Sequence, residues 1–417
     1  MKLRFLEECN VPQFVTVERV APMSRHMVSA LPLRTIPKTT KTRLRKSSGW
    51  EELQFSQQPF DIGFASLPNA LMWAEPMTGN WSEVTMDGEW MFHEGTSVIF
   101  SLDGYTFSDC LFRNRGVPNF IEFDQETCEM TITRSLPANA ERVNGECVFL
   151  GEFYDHFGHF ILESMNRFWF LDYIPEARRK SLRYVFYHTW SDPERSMLWQ
   201  MLELYGVGRE QVIIADRPLL FDLLTVPSPA QRPFIGWQLY YSKTMEACYR
   251  GLRERILNNT PSSVDVVDKL YLSRDHYNSA GQGRRSLLNS QFVEERFRDA
   301  GYRVVYPETL SFPDQLHLAS NATCIAGPSG SAHHLAAFAS NRLNSQLVLT
   351  PATFFLPIAD VSFTMYKDAQ VTYLLADQEE DGKIDPTSSL EADWHVDQTL
   401  LGMWLGEIGE NTGTKGS

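Results

Sequence analysis

Basic residues and glycines follow predicted strands in the second half of the chain. Arg274 comes directly after an apolar run, and Arg284 and Arg285 stand in a glycine-containing loop. The segment Gly327–Ser331 joins a second apolar run to an alanine-rich stretch that predicts a helix. Guanidinium groups pair bidentately with phosphate oxygens, and the first turn of a helix presents N–H groups and the positive end of its dipole. Together these features predict a site for an anionic, phosphate-bearing ligand.

The glycine spacing does not match three common motifs. The chain has no GxxxxGK[ST] sequence, which excludes a P-loop. Gly281 and Gly283 lack the third glycine of the dinucleotide fingerprint and do not open a helix at once. The Gly327–Ser331 turn also differs from the GxSxG turn of serine hydrolases, because a serine stands two places after Ser329. We therefore interpret the following pair, His333–His334, as packing or groove-lining residues.

A second set of polar side chains lies on a predicted helix near the middle of the chain, which Asp155 is placed to cap. The polar residues recur at intervals of three and four: His159, Glu163, Asn166 and Arg167. This spacing places them on one face of an otherwise aromatic helix. Because an unpaired buried polar group costs about 1–3 kcal/mol, the stripe must find partners or face a cleft, and His159 is favoured as functional.

The same helix offers an alternative chemistry. His156, His159 and Glu163 follow the order HxxHxxxE, with Asp155 adjacent. Imidazole and carboxylate groups are zinc ligands, although the spacing is not HExxH and no further ligand motif is evident. A metal-dependent hydrolase that uses His156, His159 and Glu163 therefore stays open as an alternative function.

The elements that must position these residues alternate along the chain. Residues 270–338 read as strand, loop, helix, strand, helix, strand, glycine turn and helix, a further strand is predicted at 346–350, and residues 148–226 show a second alternation. Such alternation indicates parallel strands covered by helices, whose ligands bind at the carboxyl ends of the strands. Asn289 is placed to cap one of these helices, which Gly301 ends.

The flanking regions differ from this pattern. Residues 1–147 contain short apolar runs separated by turn residues, which predicts a β-rich region, and residues 390–408 carry apolar side chains at helical spacing. We therefore predict four parts: a β-rich N-terminal region (1–147), an N-terminal Rossmann-like domain (148–260), a C-terminal Rossmann-like domain (261–389), and a closing helix with a tail (390–417).

Composition narrows the function classes. The 417 residues carry a formal net charge of -14, which argues against a general binder of nucleic acid or anionic membranes. No apolar run approaches the roughly 18–20 residues that span a bilayer, and residues 1–20 do not resemble a signal peptide. The six cysteines form no CxxC pair, which is typical of reduced thiols and predicts a cytoplasmic protein.

Two blocks of this sequence resemble the family 61 glycosyltransferases, which include bacterial capsule and exopolysaccharide enzymes, plant xylan transferases and protein O-linked sugar transferases. The first block is Asp155–Arg167. The second runs from Tyr271 to Phe338 with matching order and spacing at Arg274, Arg285, Asn289, Gly301, Tyr302, Glu308, Leu310, Ser311, Phe312, Gln315 and the Gly327–Ser331 turn. The resemblance covers roughly residues 145–350.

This resemblance implies an α/β fold of the GT-B type, with two Rossmann-like domains facing across a cleft and a nucleotide-sugar held mainly by the C-terminal one. Arg274 and Arg285 would neutralise the donor diphosphate, the Gly327–Ser331 turn would offer N–H groups, and His159 or Asp155 would deprotonate the acceptor. The implied catalytic residues are His159, Asp155 and Glu163. The implied donor-binding residues are Arg274, Arg285, Asn289, Glu308, Gln315, Gly327, Ser329, Gly330 and Ser331.

The chain departs from the family pattern at three positions. Ser329 stands where histidine is usual, and His156 and Leu335 stand where asparagine is usual. The change at Ser329 leaves open an altered donor or impaired activity, so a catalytically impaired glycan-binding protein of the same fold is a further alternative.

The function expected from the resemblance is inverting transfer of a hexosyl or pentosyl group to a polysaccharide or lipid-linked glycan. No divalent metal or other cofactor is expected, and the partners are the nucleotide-sugar and the glycan acceptor. The expected location is the cytoplasm, at the inner face of the cell membrane. Peripheral association with the membrane or with polysaccharide-assembly proteins fits that location. No nucleic-acid partner is expected, because the net charge is negative.

Overall fold

The computed structural model describes residues 1–5, 14–20, 33–36, 54–55, 60–74, 97–111, 121–124, 129–188, 192, 194, 197–230, 238–239, 242–276, 286–351, 360, 363–364, 367, 369–378 and 393–412. The chain divides into two compact units, each drawn from separate stretches of sequence. The N-terminal unit comprises Met1–Pro22, Gln57–Gly236 and Ser242–Cys248. The C-terminal unit comprises Met23–Ser56, Trp237–Tyr241 and Tyr249–Ser417.

The strands of the described residues, in chain order, are β1 (Lys2–Phe5), β2 (Phe14–Val20), β3 (Leu33–Ile36), β4 (Gln54–Phe55), β5 (Phe60–Ala74), β6 (Ser97–Ser101), β7 (Tyr105–Leu111), β8 (Ile121–Asp124), β9 (Glu129–Ile132), β10 (Glu141–Phe153), β11 (Arg183–His188), β12 (Val212–Ala215), β13 (Leu219–Pro227), β14 (Gln238–Leu239), β15 (Lys269–Leu272), β16 (Arg303–Val305), β17 (Cys324–Pro328), β18 (Ser345–Pro351), β19 (Gln370–Gln378) and β20 (Trp394–His395).

The α-helices of the described residues are α1 (Phe157–Leu162), α2 (Trp169–Tyr173), α3 (Glu176–Arg179), α4 (Leu198–Leu204), α5 (Lys243–Asn259), α6 (Ser290–Asp299), α7 (Phe312–Asn321) and α8 (Gln398–Thr412). Segments of 3₁₀ helix cover Ser164–Arg167, Arg209–Gln211, Pro307–Thr309 and Ser331–Phe338. The last of these corrects a prediction, because the alanine-rich stretch after Gly330 winds as a 3₁₀ helix.

One sheet forms the frame of the N-terminal unit; it is parallel at one end and mainly antiparallel at the other, where β1 and β7 pair parallel. Its described strands follow the order β12-β11-β10-β13-β5-β6-β7-β1-β9-β8, with β2 also on β5. The first four strands run parallel, and β5 joins them antiparallel through β13. The predicted boundary between residues 147 and 148 falls inside β10, which is buried from Cys147 to Phe153 as expected for a strand covered on both faces.

The sheet of the C-terminal unit is mostly parallel. Its described strands follow the order β16-β15-β17-β18-β19, with β3 parallel to β19 and β20 antiparallel to it. Renumbered from β15, the order of the five parallel strands is 2-1-3-4-5, which is a doubly wound arrangement. The winding direction reverses between β15 and β17, and the crevice outside the carboxyl ends of the strands at such a switch point is where ligands bind.

Helices cover both faces of this sheet. On one face Phe297 of α6 packs between Tyr271 and Trp404 of α8, with ring centroids 4.5 and 6.2 Å apart. On the other face Phe312 of α7 meets Phe338 at 5.8 Å. The closing helix predicted for the C-terminal end therefore contributes to the core of this unit. The predicted α/β class is confirmed.

Local signals account for the ends of two helices in the C-terminal unit. Helix α6 ends at Asp299 and is closed two residues later by Gly301, whose φ of 83° is the left-handed conformation of a Schellman cap. The cap hydrogen bonds run from Gly301 N to Arg298 O and from Tyr302 N to Phe297 O, both at 2.9 Å. Helix α7 begins after Ser311, whose hydroxyl accepts from Asp314 N. Both helices were expected from sequence.

Two further expectations concern thiols and membrane spans. Cys147, Cys248 and Cys324, the cysteines whose side chains the structure describes, are buried and free of disulfides. In the described part of the chain no helix combines the length and apolar character needed to cross a membrane.

Replacing Gly327 with alanine is expected to lower the free energy of unfolding by more than about 1 kcal/mol. Gly327 has a φ of 150°, and an added Cβ would lie 2.5 Å from the main-chain oxygen of Leu272 in the neighbouring strand. Urea unfolding measures the effect. Gly402→Ala is the matched control, because a Cβ there meets nothing within 4 Å and helix α8 should gain from alanine. Equal stability of the two variants would contradict the expected strain.

Candidate functional site

The first candidate side chains follow β10 in the N-terminal unit. Tyr154 is fully buried, and its N–H donates to Ser164 Oγ at 3.2 Å. Helix α1 then buries Phe160, Ile161 and Leu162 on its inner side. This anchoring turns His159 to the outer side of the helix, where its side chain is 36% exposed. His159 is therefore held at the carboxyl end of a parallel strand.

His159 and Glu163 form a hydrogen-bonded pair. The distance from His159 Nδ1 to Glu163 Oε2 is 2.8 Å, and the glutamate side chain is only 15% exposed. The imidazole also stacks on Tyr154, with ring centroids 5.0 Å apart and an interplanar angle of 26°. A carboxylate can only accept, so Nδ1 carries a proton, and in the neutral imidazole Nε2 carries the lone pair. Such a pair prepares Nε2 to take up a proton.

The polar stripe predicted along one helix is divided in the structure. Helix α1 ends at Leu162, and Glu163 begins the 3₁₀ segment Ser164–Arg167. Asn166 Nδ2 donates to Leu162 O at 2.5 Å, and Arg167 Nε donates to Pro227 O at 2.8 Å. The prediction of one continuous helix is therefore wrong, and His159 and Glu163 form a hydrogen-bonded pair across the break.

Asp155 does not cap helix α1 as predicted. The cap is His156, whose Nδ1 accepts from His159 N at 3.5 Å. Asp155 Oδ2 instead accepts from Asp192 N at 3.2 Å. Among the described residues no cluster of three His, Cys, Asp or Glu side chains could hold a metal ion, and this includes the HxxHxxxE pattern.

The second candidate set spans the switch point of the C-terminal sheet. Arg274 follows β15, and its NH1 donates to Ser329 O, just beyond β17, at 3.0 Å. A Cβ on Gly330 would overlap this guanidinium group, so glycine is required for Arg274 to lie there. The predicted association of the arginine with the glycine turn is thus present in the structure.

His333 braces the glycine turn from inside the unit. The ring is fully buried, with Nε2 3.0 Å from Gly327 O and Nδ1 3.0 Å from Gln346 Nε2. Because a carbonyl oxygen only accepts, Nε2 carries the proton and Nδ1 accepts from the Gln346 amide. Burial lowers the pKa of His333 to about 4, and the Arg274 guanidinium acts in the same direction. His333 is therefore a neutral packing residue.

The turn offers fewer N–H groups than the sequence suggested. Ser329 N donates to Leu349 O at 2.7 Å, so this group belongs to the strand pairing with β18. The first intrahelical bond of the 3₁₀ segment runs from His333 N to Gly330 O. The N–H groups of Ser331 and Ala332, at the start of that segment, precede this bond and lack acceptors within the helix. These are the two donors suited to an anion.

Three other predicted donor-binding residues have defined places. Asn289 precedes α6 without capping it, because its amide bonds both main-chain groups of Val396 at 2.7 and 3.1 Å. Gln315 Nε2 donates to Pro307 O at 2.8 Å and also to Leu310 O. Glu308 is exposed in the 3₁₀ segment after β16. Arg284, Arg285 and the glycines before them lie outside the described residues.

Glu294 is the residue that sequence reasoning missed. It lies on α6, is 4% exposed, and accepts from Ser273 Oγ at 2.6 Å. Its second oxygen accepts from Tyr306 Oη and from Arg298 NH2, both at 2.9 Å. The carboxylate thereby fixes the residue that precedes Arg274. A glutamate next to Val293 on the apolar side of a helix was the available signal, because an unpaired buried charge is not tolerated.

Residues 157–345 match the family model Glycosyltransferase 61. The chain carries a glycosyltransferase 61 domain. The domain begins with helix α1, which holds His159, and ends at the first residue of β18. It therefore includes the His159–Glu163 pair and the Arg274–Ser329 contact, whereas Asp155 and His156 precede it. No curated protein matches the chain as a relative.

Within the glycosyltransferase 61 domain, His333 should make stability depend on pH. The folded-state pKa of about 4 lies below the usual value of 6.5, so the unfolded chain takes up a proton first as the pH falls. We expect His333 to contribute an acid-side loss of up to about 1.4 kcal/mol per pH unit between pH 6.5 and 4. Comparing urea unfolding of wild type and His333→Gln across this range isolates that loss, and parallel curves would contradict it.

Proposed function

We propose that this chain is an inverting glycosyltransferase of the GT-B class that moves a hexosyl or pentosyl group from a nucleotide-sugar to a hydroxyl of a polysaccharide or lipid-linked glycan. The observation that carries the proposal is the bond from Arg274 to Ser329 O, at the switch point of a doubly wound sheet. Within a glycosyltransferase 61 domain, a cation at that point suits the diphosphate of a sugar donor.

The C-terminal unit supplies the donor site in this proposal. Arg274 and the N–H groups of Ser331 and Ala332 bind the diphosphate oxygens. As the bond between the anomeric carbon and the diphosphate breaks, negative charge grows on the leaving oxygen. Fixed donors near that oxygen stabilise the transition state more than the ground state. The positive charge comes from Arg274, so the proposal requires no divalent metal.

The N-terminal unit supplies the base. His159 Nε2 takes the proton of the acceptor hydroxyl, and the acceptor oxygen bonds to the anomeric carbon as the diphosphate leaves. Glu163 Oε2 accepts from Nδ1–H, with 2.8 Å between the oxygen and the nitrogen, and stabilises the imidazolium that forms. A single displacement of this kind inverts the anomeric configuration. The pairing with Glu163 favours His159 over Asp155, whose carboxylate accepts from Asp192 N.

The proposed reaction takes place at the cytoplasmic face of a membrane, with polysaccharide-assembly proteins as neighbours. We include that location in the proposal because lipid-linked acceptors are available there. A panel of nucleotide-sugars and glycan acceptors identifies the donor sugar, the nucleotide and the acceptor.

The test is a thermal-shift screen of nucleoside diphosphates and nucleotide-sugars, followed by an assay for released nucleoside diphosphate with glycan acceptors. Stabilisation by one nucleotide class, and transfer with inverted configuration by NMR, are the expected results. Stabilisation without turnover would favour an impaired glycan-binding protein. Turnover abolished by a chelator would favour the metal-dependent hydrolase. A chain that binds no nucleotide and releases none would contradict the proposal.

A further inference from the structure

Two aromatic side chains meet at the carboxyl ends of neighbouring strands in the C-terminal unit. His276 follows β15, two residues beyond Arg274, and Tyr306 directly follows β16. Their ring centroids are 3.8 Å apart with an interplanar angle of 9°, so the rings are stacked face to face. The two strands are parallel neighbours, which brings both rings to the ligand-binding edge of the sheet.

The stack is anchored on its inner side. Tyr306 Oη donates to Glu294 Oε2 at 2.9 Å, and Ser273 Oγ donates to the other oxygen of that carboxylate at 2.6 Å. Asp275 N also donates to Ser273 Oγ at 3.1 Å, which fixes the segment leading to His276. Tyr306 is half-buried whereas His276 is exposed. One face of the imidazole covers Tyr306, and the opposite face is the one that a ligand can meet.

We infer that His276, supported by Tyr306, is the platform on which the nucleobase of the donor stacks. This inference rests on the proposed function and specifies its nucleotide subsite. Flat aromatic side chains held at a strand end are the usual partners of unpaired bases, because every base has a π-face.

The geometry of the sheet supports this placement. Arg274 reaches toward β17, on one side of β15, and His276 lies on the β16 side. Neighbouring strands are about 4.8 Å apart, so the ends of β16 and β17 are separated by roughly 10 Å. A nucleoside diphosphate likewise has its base at one end and its pyrophosphate at the other. The stack and the anion site are thus spaced as the two ends of one ligand.

The test uses calorimetric titration of the full chain with a series of nucleoside diphosphates and with inorganic pyrophosphate. His276→Ala should weaken nucleoside diphosphate binding by about 5- to 100-fold, the scale of one lost stacking contact. Pyrophosphate binding should not change, since it has no base. His276→Phe should restore most of the affinity. His317→Ala is the matched control. His317 lies on helix α7 and bonds Thr260 O, so its loss should leave the binding of both ligands unchanged.

A merely structural stack would give a different pattern, in which His276→Ala weakens both ligands equally and lowers the unfolding temperature. That result, or an unchanged affinity, would overturn the inference and leave the donor assignment intact. A wild-type chain that binds no nucleoside diphosphate would overturn both. Should the alanine variant fail to fold, His276→Trp supplies a direct readout. Its fluorescence should be quenched by nucleoside diphosphates and not by pyrophosphate, and equal signals from both would overturn the inference.

Discussion

Replacing His159 with alanine is expected to lower the rate of sugar transfer by about 10²–10⁴-fold, the usual range for loss of a general base. Donor affinity should stay the same, because the proposed base acts on the acceptor hydroxyl. A sugar hydroxyl is a weak nucleophile at neutral pH and depends on Nε2 to accept its proton. Turnover is measured by release of nucleoside diphosphate at saturating donor and acceptor, and donor affinity by calorimetry.

Variants of Glu163, the hydrogen-bond partner of His159, test whether the two residues act as a unit. Glu163→Gln should lower turnover by less than His159→Ala, since the amide oxygen can still accept from Nδ1 while the charge is lost. In the double variant the glutamine should add nothing, because Glu163 acts through the imidazole that is no longer there. His317→Ala controls for the loss of a histidine at another place. A fully active His159→Ala chain would transfer the role of base to Asp155 or to another group.

Replacing Arg274 with alanine is expected to weaken nucleoside diphosphate binding by roughly 10- to 150-fold, which corresponds to about 1.5–3 kcal/mol for a hydrogen bond to a charged group. The variant loses the cation at the switch point and also the bond to Ser329 O. Calorimetric titration gives the dissociation constant directly. The salt dependence of binding should also fall, because one positive charge no longer contributes.

Two further variants test whether binding depends on where the positive charge of Arg274 lies and not only on the net charge of the unit. Arg303→Ala removes the same charge from the amino end of β16, at the opposite edge of the sheet, and should leave affinity unchanged. Gly330→Ala keeps the arginine but displaces it, since the new Cβ would overlap the guanidinium group. It should therefore weaken binding in the wild-type background and not in Arg274→Ala. An unchanged dissociation constant in Arg274→Ala would remove this residue from the donor site.

Patterns of local sequence predicted the part of the C-terminal unit between β15 and β18, and missed the strand Gln370–Gln378 that follows it. The strands at Lys269–Leu272 and Cys324–Pro328, the helix that begins near Ser311 and the helix end at Gly301 follow from hydrophobic period and turn residues. The resemblance to family 61 was confirmed by the family match over residues 157–345. The role of each site residue stays a prediction.

Contacts between distant residues were beyond sequence reasoning. The amide of Asn289 bonds the main chain of Val396, 107 positions away, although its place before a helix suggested a cap. Glu294 accepts from Arg298 on its own helix, but its other two donors, Ser273 and Tyr306, follow two different strands, which no local pattern reveals. The break at Glu163 also lacks a proline or glycine to mark it, so the spacing of the polar stripe predicted a helix that was too long.

Among the described residues, two main-chain bonds hold Ser329: its N–H donates to Leu349 O, and its carbonyl accepts from Arg274. A different side chain at this position leaves both bonds in place. In the proposed donor site, exchange of the usual family histidine for serine would change the surface presented to a bound sugar while the arginine keeps its position. On that proposal, evolution could vary ligand preference at position 329 without rebuilding the anion-binding frame, and laboratory selection for new donors could begin there.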